Sequence, residues 1–342
     1  MNGCSNESAG SRAFASTNAP VRSSVTPLGP FSLALSAHSS GDLSRRFHGG
    51  VLTQIAEIDG RLERAEARQR SDGTVLLAAE SAAALALLRF ELALDDDHTP
   101  FLEQFASDAL LGRAIRALKG LRPIRLATVS HSLLRALCGQ LISAREARAI
   151  EARVIRRVSS RDPATALYAP PTQERLGELS PAEICRLGLA PRRAAALVRL
   201  CRTLDLERLR RSPSELTARK LRLERMIGPW SFGVIALEGL GIYSHGLSGD
   251  LGLIKLCAVL QGRWADEADS ARLLEHYGEW AGLASVYLLT GIRRGLVRPP
   301  GCVGSVALNA RRLRSLAPSR DTGYDFAGAV SLAPMAALAS EH

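Results

Sequence analysis

Ile227-Gly228-Pro229-Trp230-Ser231, followed twenty residues after the tryptophan by Asp250 in Gly249-Asp250-Leu251-Gly252-Leu253, is the stretch on which the reading of this chain turns. The pattern from Leu216 to Arg225 predicts one helix, and Met226-Ile227-Gly228 a tight turn. Pro229 opens a second helix, at a position where its missing N–H costs nothing. Asp250 heads a third. A short turn between two helices aims backbone N–H groups outward, and the second helix adds its N-terminal dipole, which suits a phosphate. Arg219, Lys220, Arg222 and Arg225 make the unit positive. Such a contact reads a nucleic-acid backbone rather than a base sequence. An ordinary αα-corner has the same turn, and an Asp ahead of an apolar helix is a routine N-cap. Against these stands a carboxylate kept ionised by the helix end and facing a sugar that gains positive charge in a transition state. Both pairs of readings stay open at this point, and capping and catalysis are compatible.

The rest of the composition sets bounds. With 342 residues, 46% hydrophobic and 23% charged, the chain is long enough for two domains and a sizeable core. No uninterrupted apolar run reaches membrane-span length; the best, Val75 to Phe90, is broken by Glu80 and Arg89. The first residues lack a basic start followed by an apolar block, so no secretory signal is expected and the location reads as cytoplasmic. The formal charge of +10, carried almost wholly by arginine with Lys119, Lys220 and Lys255 the only lysines, favours polyanionic partners. Cys4, Cys138, Cys185, Cys201, Cys257 and Cys302 never form C-x-x-C, and the histidines form no metal-binding pair, so no metal site is expected. Asp95-Asp96-Asp97-His98 reads as a solvated loop ahead of Pro100.

Along the chain, residues 1–28 are rich in Ser, Asn, Ala and Gly without apolar period and read as a disordered leader. Residues 29–100 read as a small α+β domain on an antiparallel sheet. Phe31, Leu33 and Leu35 alternate as a strand would, Ser71-Asp72-Gly73-Thr74 marks a turn before the apolar run Val75 to Ala79, and Ser81 to Leu88 is helical. Residues 101–315 read as all-helical, with eight or more helices. These include Leu133 to Ile142, Ala194 to Leu204, Pro213 to Arg222, Trp230 to Ile242, Leu251 to Leu260 and Ala271 to Leu289. Ser180-Pro181-Ala182-Glu183 is a capping-box start. Residues 316–342 read as a loose tail.

At this point the residues resemble a family. The 227–231 stretch with Gly249-Asp250-Leu251-Gly252 looks like the helix-hairpin-helix, Gly/Pro-rich loop and aspartate signature of DNA glycosylases, nearest the bacterial inducible 3-methyladenine DNA glycosylase II type. Leu134 to Ser143, containing Gly139-Gln140-Leu141-Ile142-Ser143, is similar to the family's G-Q-[LQ]-[VI]-S helix, and Pro171 to Ala194 to its next segment. The matches run in the family's order over roughly residues 100–295. The resemblance implies a TATA-box-protein-like N-terminal α+β domain before the mainly helical glycosylase domain. It implies Asp250 as catalytic residue and Trp230, Trp280, Val234 and Leu251 as the base pocket. Leu141, with Gln140, matches the wedge that enters the duplex. Ile227 and Gly228, supported by Arg225 and Lys220, match the backbone-binding hairpin, which in the family also holds a monovalent cation. No other cofactor is implied. The implied partner is double-stranded DNA carrying alkylated bases, bound by a monomer associated with the nucleoid.

The sequence departs from the family's pattern in places. Met226 stands for the first hairpin glycine, Gly246-Leu247 for Phe-Pro before the aspartate, Val234 for a pocket aromatic, and Ala281-Gly282 for Arg-Ser after Trp280. If position 226 needs a positive φ, Met there is strained, which counts against a cation at the hairpin. The rival to a base-excision enzyme is a non-catalytic, lesion-sensing DNA-binding module of the same fold; retention of Asp250 opposes it.

Overall fold

A computed structural model describes residues 19–37, 42–140, 143–212 and 214–297. Its N-terminal part is built from β1 (Val21–Val25), α1 (Leu33–Ala37), β2 (Arg45–His48), β3 (Val51–Ile58), β4 (Arg61–Gln69), β5 (Val75–Ala79) and α2 (Ala82–Glu91). The strands form one antiparallel sheet in the order β1-β5-β4-β3-β2. Alternation along β5 puts Val75, Leu77 and Ala79 inward while Leu76 faces out. Ala84 and Leu88 of α2, whose N-terminus Ser81 caps, close that face.

Two readings of this region need correction. The segment 1–28 reads as a leader, yet β1 lies inside it and pairs along its whole length with β5. Of its five residues only Val25 is buried, so this edge strand carries no apolar alternation to detect. Phe31, Leu33 and Leu35 read as a strand, but Leu33–Ala37 is a helix. Its first N–H groups are taken by side chains rather than by a strand partner: Leu33 N–H donates to Gln69 Oε1 (2.8 Å) and Leu35 N–H to Ser32 Oγ (3.3 Å).

The helical part runs α3 (Thr99–Gln104), α4 (Gly112–Ala117), α5 (Val129–Gly139), α6 (Ala144–Val158), α7 (Gln173–Glu178), α8 (Pro181–Arg186), α9 (Pro191–Thr203), α10 (Leu206–Leu209), α11 (Ser214–Arg222), α12 (Pro229–Val234), α13 (Leu251–Gln261), α14 (Glu267–Glu275) and α15 (Ala281–Arg293). The capping box at Ser180 and Glu183 is formed. One apolar core joins α5, α6, α9 and α12; a second joins α3, α4, α13 and α15. Trp230 to Ile242 is not a uniform α-helix: after Val234 it widens into a π-helix over Ile235–Leu240. There the Glu238 carbonyl accepts Leu126 N–H (2.6 Å) and the Gly239 carbonyl accepts Arg210 Nε–H (3.1 Å). Ala271 to Leu289 is likewise not one helix. Gly278, at φ +51°, turns the chain, and Gly278–Trp280 form a 3-10 turn before α15. No helix among the described residues is long and apolar enough to cross a membrane. The domain end at 315, the 316–342 tail, Cys4 and Cys302 lie outside the described residues.

A buried ionic cluster ties sheet to helices. Arg135 of α5 pairs with Asp42 (2.9 Å), with Glu151 of α6 (2.9 Å) and with Glu238 (2.5 Å). Burial alone would raise the Asp42 carboxyl, but Arg45 and Arg135 outweigh it and hold it well below the usual range. Glu91, in the same interior, is pushed up to about 7 by burial despite Arg45 nearby.

Candidate functional site

The site is assembled where the ends of α5, α11, α12 and α13 meet. After α11 the chain turns through residues 223–228, with Ile227 N–H donating to Glu224 O (3.1 Å). Met226 sits at φ +76°, in the left-handed region where a side chain costs about 1–2 kcal/mol. The turn therefore does demand what a glycine would give freely. Gln140, just past α5, braces it: its Nε2 donates to the Met226 carbonyl (2.8 Å) and to Ser231 Oγ (2.7 Å). Both amide hydrogens of this wedge candidate are thus spent on the hairpin. Ile227 is buried in the helical core, whereas Gly228, Lys220 and Arg225 are exposed. Arg222 lies over the Phe232 ring (5.4 Å). Leu141, the other wedge candidate, lies outside the described residues.

Asp250 is half-buried at the head of α13 and is its N-cap: Oδ1 accepts the Gly252 N–H (2.8 Å). Its other oxygen, Oδ2, accepts the indole N–H of Trp230 (3.2 Å). Trp230 comes from the first turn of α12, so the hairpin helix and the acid are in direct contact. The far edge of the indole abuts the last residue of α5. A Cβ at Gly139 would overlap Trp230 Cη2 and stand 3.2 Å from Cζ3. Leu251 is exposed beside Asp250, at 43%. Val234 is 6% exposed and packs in the helical core rather than at the surface of the site.

Trp280 joins a separate aromatic group. Its ring stacks on Tyr243 (6.3 Å) and meets Phe101 (5.9 Å) and His98 (6.4 Å). The Tyr243 hydroxyl donates to Asp96 Oδ2 (2.6 Å), which also pairs with Arg125. The solvated-loop reading of residues 95–98 is therefore corrected. Asp95 and Asp97 are exposed, but Asp96 is half-buried and His98 is 1% exposed. Burial, with Arg122 and Arg125 close by, lowers His98 to about 3, so its imidazole is neutral. Tyr243 and His98 stand in no periodic pattern, which is why the sequence does not flag them. Gly139 had no signal beyond its place in the G-Q motif.

No family model matches the sequence, and no curated protein does. Solved structures do. A 3-methyladenine DNA glycosylase from Archaeoglobus fulgidus superposes with a TM-score of 0.67 at 19% identity, over 80% of this chain and 98% of that one. An 8-oxoguanine glycosylase/lyase from Clostridium acetobutylicum, in complex with double-stranded DNA containing cytosine opposite the lesion, gives 0.64 at 16%, over 80% and 98%. At such identities the likeness is one of fold: this chain has the fold of the helix-hairpin-helix DNA glycosylases, N-terminal sheet included.

Proposed function

We propose that this protein is a monofunctional DNA glycosylase of base-excision repair, which flips alkylated purines, 3-methyladenine foremost, out of duplex DNA and hydrolyses their N-glycosidic bonds. The observation that carries the reading is Asp250: a half-buried carboxylate at a helix head, with each oxygen held by its own N–H donor and the hairpin helix against it. The exposed Lys220 and Arg225, with the hairpin N–H groups, would grip phosphates, so affinity should fall steeply with salt. Extruding the base costs a few kcal/mol, least for a weakly paired lesion. As the C1′–N bond breaks, its electrons go to the base and the sugar becomes cationic. The carboxylate stabilises that cation and takes the proton of the water that adds to C1′. An N3- or N7-alkylated purine already carries a positive charge and leaves without a second acid. We assign no cofactor, because hydrolysis by one carboxylate needs none, and we assign the active form to a monomer in the cytoplasm.

Choice of lesion is the finer part of the reading. Trp280, braced by Tyr243 and Phe101, offers a ring that attracts a cationic base by about 0.5–2 kcal/mol when desolvated. The Archaeoglobus fulgidus relative in fold bears a 3-methyladenine name, which agrees with this choice. The test is base release from matched duplexes containing 3-methyladenine, 7-methylguanine, hypoxanthine or 8-oxoguanine. Faster release of the methylated bases supports the reading. Preference for 8-oxoguanine overturns the lesion class, and no release from any duplex overturns the enzyme.

A further inference from the structure

We infer that Trp230 is a positioning residue for Asp250: its indole N–H, rather than its ring face, is what the reaction needs from it. The inference rests on the glycosylase reading above. A carboxylate held only as an N-cap is anchored at one oxygen, and the other can swing about the Cβ–Cγ bond. Here Gly252 N–H holds Oδ1 and Trp230 Nε1–H holds Oδ2, so the plane of the group is fixed by two donors on different helices. Fixed orientation is what makes an electrostatic contribution useful, since the group need not reorganise when the sugar becomes cationic.

The donor is itself held. Gly139, lacking a Cβ, lets the far edge of the indole lie against the end of α5. The next residue on α12, Ser231, is held by Gln140 from the same place. α5 is in turn anchored by Arg135 to Asp42, Glu151 and Glu238. With one edge on Asp250 and the other on Gly139, the indole is committed along its length. A phenylalanine at 230 would keep an aromatic face but leave Oδ2 without its donor.

The test uses full-length protein and three duplexes: undamaged, one with a neutral tetrahydrofuran abasic analogue, and one with a pyrrolidine analogue whose protonated nitrogen mimics the cationic sugar. Wild type should prefer the cationic analogue to the neutral one. Trp230→Phe should lose about tenfold or more of that preference, the scale of one hydrogen bond to a charged group, while binding undamaged duplex within about twofold. Excision should fall in kcat, not rise in KM. In an Asp250→Asn background the Phe substitution should cost nothing further, which isolates the pair. A benzothienylalanine at position 230, identical in shape but with sulfur for N–H, should reproduce the Phe result even if Phe disturbs packing. If Trp230→Phe and the sulfur analogue keep the preference while Asp250→Asn abolishes it, the positioning role is wrong and the enzyme reading stands. If wild type shows no preference for the cation, that reading fails and this one with it.

Discussion

Replacing Asp250 by Asn separates two jobs that the structure gives to one side chain. Asn caps a helix as well as Asp does, so the Gly252 N–H keeps an acceptor. The charge is lost. A carboxylate about 4 Å from a unit positive charge contributes roughly 4 kcal/mol at an effective dielectric of about 20. At 1.36 kcal/mol per tenfold, that is a loss of about a thousandfold in the chemical step. One amide cannot accept from both Gly252 and Trp230, so its NH2 faces a donor. Because the site is half-buried and water can help, this should cost stability only about 1 kcal/mol. Single-turnover release of 3-methyladenine with enzyme in excess reads the chemical step, and anisotropy on the same duplex reads binding. The expected result is binding within about twofold and release slowed about a thousandfold. If the Asn variant retains more than about a tenth of wild-type release, the Coulombic argument fails and Asp250 is a helix cap and nothing more.

Borohydride should trap no covalent protein–DNA adduct, because strand cleavage by that route requires an amine nucleophile and the side chain that touches Asp250 from the hairpin helix is Trp230, an indole rather than an amine; an adduct would show that another amine serves. Glu91 sets a pH dependence whose sign follows from burial, which lifts its carboxyl to about 7 from an ordinary 4.5. The folded protein keeps that proton where the unfolded chain has lost it, so the group's contribution is full below 4.5 and declines as pH rises towards 7. Glu91→Gln should flatten the fall in urea midpoint over that window, and an unchanged slope would refute the assignment. Arg135→Met should destabilise the fold by about 3–5 kcal/mol, because it removes the guanidinium that Asp42, Glu151 and Glu238 share, leaving Asp42 to Arg45 and Glu151 to His131 and Arg148; thermal denaturation showing less than about 1 kcal/mol would mean that those remaining partners, water or rearrangement already screen the cluster.

What was legible in the sequence was local chemistry with a strong period or a cap. Val75, Leu77 and Ala79 on β5, Ser81 at the head of α2, the Ser180 box and Asp250 before α13 all announce themselves, because each needs only its near neighbours. What escaped depends on partners far along the chain. β1 shows almost no apolar face because β5 supplies its pairing. Leu33–Ala37 turns helical because Gln69, thirty-six residues away, takes the Leu33 N–H. The site divides the same way. Asp250 and the hairpin were readable as motifs, whereas the Trp230–Asp250 contact, the room made by Gly139 and the placing of Tyr243 and His98 against Trp280 exist only once the helices pack. Val234, assigned to the pocket by position alone, is instead core.

Two departures from the family's pattern that look independent in the sequence are one feature in the structure. Gly246 stands where the family that the sequence resembles has an aromatic ahead of the aspartate, and Gly282 where it has a polar side chain after the tryptophan. A Cβ at Gly282 would lie 2.8 Å from the carbonyl oxygens of both Tyr243 and His245, and one at Gly246 would lie 2.6 Å from Leu274 Cδ1 and 3.2 Å from the Ala281 carbonyl. The backbones meet instead: Gly282 N–H donates to Tyr243 O (2.7 Å), and Leu247 N–H donates to Ser285 Oγ (3.0 Å). The loop that delivers Asp250 is thereby stitched to the first turn of α15. The same stitch sets Tyr243 beside Trp280, the residue that opens that helix. The acid and the aromatic ring, far apart in sequence and in different packing groups, are referenced to one helix. Bulk at Gly282, whose Cβ would meet two backbone carbonyls, would push the loop off α15 and move both together, whereas at Gly246 the nearest atom is the flexible end of Leu274.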